Sequence, residues 1–176
     1  MRLEIRIATL TDASAACQVL RRSISDCCVQ DHRHDPRILA AWLGNKTPKM
    51  VASWFGSEHN FSLVALDGDD IIGVALLTRA GKLALCYLLP QARRCGVGTA
   101  LLARVEAQAR TWDISVLQLH STADGAAFYQ RHGYIASGTH QSSYGVDLIF
   151  FWKPLDPDAA VIDAPRKPFC NCNTAS

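Results

Sequence analysis

Residues 86–110, CYLLPQARRCGVGTALLARVEAQAR, restrict the possible folds more than any other stretch. An apolar run ends at Pro90, and Arg93 and Arg94 follow. Gly96-x-Gly98 then opens a segment in which Val97, Leu101, Leu102, Val105 and Ala109 recur at helical spacing. A helix N-terminus leaves backbone N–H groups unpaired and carries a partial positive charge. Glycines let an anion reach those groups without a side chain in the way. The pattern therefore points to a phosphate-bearing ligand, held mainly by amides. Arg93 and Arg94, whose charges water screens, serve as attraction and clamp. A glycine pair alone marks only a tight turn, so the neighbouring segments must decide.

Those segments read as an alternating mixture. Leu3, Ile5 and Ile7 share one face of a strand. TDAS opens a helix with Thr11 or Asp12 as N-cap, and its apolar stripe runs to about Cys28. Pro36 to Gly44 and Pro48 to Gly56 each have proline at the start and glycine at the end, the asymmetry of two short helices. FSLVALD and IIGVALLT flank GDD as a hairpin, and LALCYLL continues the meander. After the glycine helix, in which Glu106 and Arg110 are spaced to pair, SVLQLHS is another strand. Ser121-x-x-Asp124 resembles a capping box before a short helix closed by Gly133. YIASGTH and VDLIFFWK form a last hairpin with QSSYG at its tip. The expected fold is α/β (α+β): a mixed, mostly antiparallel central sheet with helices on both faces. It occupies residues 1–153, with a tail over residues 154–176 that has no core of its own.

The 176 residues suit one domain, and about half of them are apolar. A formal net charge of +2 does not call for nucleic acid or an anionic membrane as partner. No run approaches the roughly 18 apolar residues of a membrane span, and the N-terminus lacks a signal-peptide core. Seven cysteines without framework spacing fit a reducing, cytoplasmic setting. Neither Cys27–Cys28 nor Cys170-x-Cys172 has zinc-pair spacing, and DHRHDP reads as a solvated loop, so no metal is expected.

The identity of the phosphate ligand follows from spacing. No lysine follows the glycines, as a Walker loop needs, and Leu101 stands where the dinucleotide fingerprint needs Gly or Ala. Arg93-x-x-Gly96-x-Gly98 instead resembles the (Gln/Arg)-x-x-Gly-x-(Gly/Ala) loop of the GNAT superfamily, the acyl-CoA-dependent N-acetyltransferases. STADGAAFYQRHGY resembles that family's second signature, and the element order over residues 3–153 is similar too.

The resemblance implies that acetyl-CoA is the co-substrate and that an acetyl group passes directly to an amine. The resemblance leaves the acceptor open among a small-molecule amine, a protein N-terminus, a lysine side chain and aminoacyl-tRNA; the absence of a strong net positive charge favours a small molecule or peptide over nucleic acid, no membrane partner is expected, and dimers are frequent in the family. It implies a pyrophosphate cradle from the amides of Arg93, Arg94, Cys95, Gly96, Val97, Gly98 and Thr99. Backbone contacts to pantetheine would come from Cys86 and Leu88, and Thr122 stands where many members carry asparagine near the coenzyme. Tyr129 matches the tyrosine that protonates the departing sulfur. The glutamate that one branch uses as base is absent: Lys82 holds that position. His120, the DHRHDP loop and the GTHQSSYG tip are the other polar groups expected near the acceptor. Cys95 is expected to pack its side chain while its backbone faces the ligand. The alternative is a non-catalytic acyl-CoA-binding or regulatory protein on the same fold.

Overall fold

The computed structural model describes residues 2–156. Cys170 and Cys172, and the tail from Pro157 on, lie outside the described residues. Strand β1 (Leu3–Ile7) is followed by a 3-10 turn and helix α1 (Ala13–Cys27), then by short α2 (Val29–His32), α3 (Pro36–Leu43) and α4 (Pro48–Phe55). Strands β2 (Asn60–Asp67), β3 (Asp70–Thr78) and β4 (Leu83–Leu88) form the meander. Helix α5 (Val97–Thr111), β5 (Val116–Ser121), α6 (Ala123–Arg131), β6 (Ile135–Gln141) and β7 (Asp147–Pro154) complete the order. Among the described residues, no helix is long and apolar enough to cross a membrane.

The two proline-led helices start as their sequences require. Asp35 accepts the Arg37 N–H at 2.8 Å and Thr47 accepts the Met50 N–H at 3.2 Å, each cap standing just before its proline. Asp12 stands at the N-cap position of helix α1, as expected, but its side chain caps no N–H of that helix. Asp12 turns its carboxylate back to the Thr9 N–H and to Arg6, so Thr9 forms the capping box and Asp12 anchors β1 to the turn. DHRHDP is not a plain loop either. Val29–His32 is one helical turn, and His32 is buried with its ring against the Ser25 carbonyl.

The expected mixed, mostly antiparallel sheet is present, in two parts. β1-β2-β3-β4 form one antiparallel sheet and β5-β7-β6 another. Between described strands of the two sheets, the recorded pairing is a parallel bridge from Lys82 to Gln118, reinforced by Gln118 N–H to Gly81 O at 2.9 Å. Beyond that point β4 and β5 part, leaving a V-shaped opening. Consecutive positions of β2 and β3 are buried, which requires cover on both faces. Helices α1 and α5 both pack on β3 and β4, while α6 packs on the smaller sheet. β7 runs to Pro154, and Leu155 is buried with its N–H on Ser115 O at 2.8 Å, so ordered packing continues two residues past residue 153.

Candidate active site

The V between β4 and β5 opens into a cavity of about 980 Å³. One end is the turn before α5. Gly96 caps that helix at φ +82, a left-handed geometry that a side chain rarely adopts. The first intrahelical bond runs from Ala100 N–H to Gly96 O at 3.0 Å. The N–H groups of Val97, Gly98 and Thr99 lie ahead of it and are left for an outside acceptor. Gly98 is glycine for lack of room: a Cβ there would meet the Phe128 ring at 3.3 Å and Leu88 at 3.4 Å.

The sequence-derived ligand residues converge here unevenly. Arg93, Arg94, Gly96, Gly98 and Thr99 line the cavity at this end. The Val97 side chain is fully buried in the core. Cys95 does not pack as expected. It is exposed, and its thiol donates to Arg93 O at 3.3 Å, because the turn carries it outward. Arg93 has a partner of its own in Asp124, on the first turn of α6. Asp31 accepts the Ala123 N–H at 3.2 Å, which ties α2 to the same helix start. Thr99 is engaged as well. His132 Nδ1 donates to the Phe128 carbonyl at 2.8 Å, and its Nε2 shares a hydrogen bond with the Thr99 hydroxyl at 3.1 Å.

Along β4 the backbone alternates. Leu89 N–H bonds to Ile72 O at 2.9 Å, toward β3. By the two-residue period, the N–H groups of Leu88 and Cys86 face the open edge. Farther back the register slips between Leu76 and Leu77, which leaves Ala84 as the extra residue of a bulge facing the cavity. Across the V, Thr122 lines the cavity but also caps α6, accepting the Gly125 N–H at 3.3 Å. The cap therefore lies one residue beyond Ser121, whose hydroxyl donates to Thr122 O.

Tyr129 lies on the cavity wall, 8% exposed, with its phenol close to the Cys86 thiol. Burial, and then Cys86 itself, hold the phenol well above its ordinary pKa. It is therefore protonated at neutral pH and can donate to an anion formed beside it. Burial also pushes the Cys86 thiol up to about 11, so it is no thiolate. His120 lines the same cavity, pushed down to about 4 by burial, Lys82 and His140, and is neutral at pH 7. Its ring lies 5.9 Å from that of His140, centroid to centroid. Lys46, on the α3–α4 connection, lines the cavity too, together with Trp42 and Trp54. Sequence reasoning missed Lys46: a lone lysine between two short helices reads as surface. Among the described residues, no group of three or more His, Cys, Asp or Glu is gathered as a metal site.

Comparison with known proteins bears on this arrangement. A family model described as "Acetyltransferase (GNAT) domain" matches residues 30–152. No curated protein matches the chain in sequence. Among solved structures, a GCN5-related N-acetyltransferase from Rhodopseudomonas palustris superposes with a TM-score of 0.76 at 19% identity, over 86% of this chain and 94% of that one. The PaiA N-acetyltransferase of Thermoplasma acidophilum, solved with coenzyme A, gives 0.71 at 20% identity, over 88% and 99%. YncA of Salmonella typhimurium, solved with acetyl-CoA, gives 0.68 at 19%, over 96% and 100%. These likenesses carry the fold.

Proposed function

Given that the chain belongs to the GNAT acetyltransferase family, we propose that it is an N-acetyltransferase that moves the acetyl group of acetyl-CoA directly onto an amine of a small molecule or peptide. The observation that carries this reading is the alignment of three features along one cavity: unpaired amides at the start of α5, an open β4 edge, and a buried neutral phenol. A pyrophosphate fits the first, because Gly96 has open space around it and Gly98 presents no side chain. The N–H groups of Leu88 and Cys86 suit the amide oxygens of pantetheine. The thioester would then lie between Ala84 and Tyr129.

The amine nitrogen bonds to the acetyl carbon as the C–S bond breaks. Tyr129 gives its proton to the departing sulfur, and water restores it. The amine's own proton has to leave as well. No carboxylate stands on β4 to take it. Neutral His120, with His140 beyond it, offers an acceptor leading outward. The positive charges of Lys46 and Lys82 favour the uncharged form of a nearby amine. A dedicated base is therefore not required. The free thiols of the five described cysteines suit a reducing, cytoplasmic setting.

The reading is tested by release of free thiol from acetyl-CoA across a panel of amines. Amine-dependent release supports it. Coenzyme binding without release from any amine favours instead a binding or regulatory protein, for which the missing carboxylate on β4 is the motive.

A further inference from the structure

The cavity lining is unbalanced in charge. Five lysine and arginine side chains face it, and the lone carboxylate among its lining residues, Asp124, is paired with Arg93. The arginines belong to the coenzyme end. Lys46 and Lys82 do not. Lys82 precedes β4 and lies about 20 Å of strand from Leu88. Lys46 O accepts the Cys17 thiol, and Cys17 lies about 15 Å along α1 from Cys27, which lines the cavity with Arg93. Both lysines are thus set back along their elements from the α5 turn to which the pyrophosphate is assigned.

Both cations are retained at a cost. Lys46 is 7% exposed, and its ammonium bonds to Asn45 Oδ1 at 2.5 Å and Trp42 O at 3.4 Å. Among the described residues neither lysine forms an ion pair with a carboxylate. Burial lowers the pKa of both, Lys46 to about 8. A buried ammonium held by neutral oxygens and by the Trp54 ring 5.9 Å away, with no carboxylate, is stabilised by an anion arriving from outside.

We propose that the acceptor is a small amine that also bears a carboxylate, as an amino acid does, and that the cationic part of the cavity lined by Lys46 and Lys82 receives this carboxylate. The proposal rests on the transferase reading above. The same charges repel polyamines and other polycationic acceptors, so the site selects by rejection as well as attraction. The aromatic wall of Trp42 and Trp54 covers the apolar part of such a molecule, and Trp42 is fixed by stacking on Tyr144 at 5.2 Å.

The test compares amino acids with their carboxamides as acceptors, by thiol release from acetyl-CoA, while calorimetry with coenzyme A tests the coenzyme site separately. The acids should exceed the amides in kcat/KM by roughly tenfold to a hundredfold, the range of one charge-assisted hydrogen bond. Lys46→Met and, separately, Lys82→Met should erase that preference by raising KM for the acid, with KM for acetyl-CoA unchanged. Two variants guard against one that misfolds. Equal use of acid and amide, or a preference that survives both variants, overturns the anionic acceptor and leaves the transferase intact. So does turnover of polyamines alone. Absence of coenzyme binding overturns the transferase reading, and this proposal with it.

Discussion

Tyr129 carries the largest chemical burden of any single residue in this account. Its phenol is buried, protonated and close to the Cys86 thiol. Tyr129→Phe keeps the ring and its packing on Phe151 and removes only the proton donor. Turnover should fall by roughly 10²–10⁴, with coenzyme affinity unchanged by calorimetry. Undiminished turnover would reduce the hydroxyl to packing. His120 makes a second, independent prediction. Its pKa in the folded protein, about 4, lies below the ~6.5 of an unfolded chain. Between those values the unfolded state binds the proton and the folded state does not, so stability rises with pH across that window and falls on acidification. Above it the ring contributes nothing to the pH dependence. His120→Gln should therefore show a smaller loss of Tm than the parent protein between about pH 7 and pH 4.5. An equal loss would contradict the half-buried, neutral ring.

Among the elements, α5 shows what spacing can and cannot reveal. Sequence pairs Glu106 with Arg110, and that contact exists at 3.8 Å with the arginine half exposed. The stronger partners of Glu106 are distant in sequence: Lys153 at 2.8 Å and the Tyr134 hydroxyl at 3.2 Å, which tie α5 to β7 and to the start of β6. Glu106→Ala should cost about 1–3 kcal/mol in denaturant unfolding, since it leaves Lys153 and Tyr134 without their acceptor. Arg110→Ala should cost less than about 0.5 kcal/mol. Similar losses for both would show the local pair to dominate. The same distinction governs the whole sequence reading. Helix ends marked by Pro and Gly, the hairpins and the glycine turn were legible because their causes are local. The Asp31 carboxylate on the Ala123 N–H and the place of Lys46 on the cavity wall were not, because each depends on how distant segments meet. The outward thiol of Cys95 and the α6 cap at Thr122 are local, but turn on backbone angles that residue types alone do not fix.

At the scale of the molecule, the division of the sheet makes the site. Where Lys82 meets Gln118 the two halves are joined, and where they part the β4 edge, the α5 turn and Tyr129 face one space. The loop motif pointed to the coenzyme end of that space, whereas the cationic far end became visible only once the fold had brought Lys46 and Lys82 to one cavity. The central claim is that the amides at the start of α5 grip the pyrophosphate. Calorimetric titration with coenzyme A and with pantetheine, which lacks the pyrophosphate, tests it most directly. Two charge-assisted hydrogen bonds at roughly 1.5 kcal/mol each predict that coenzyme A binds at least about 100-fold more tightly. Equal affinity for the two would contradict the claim.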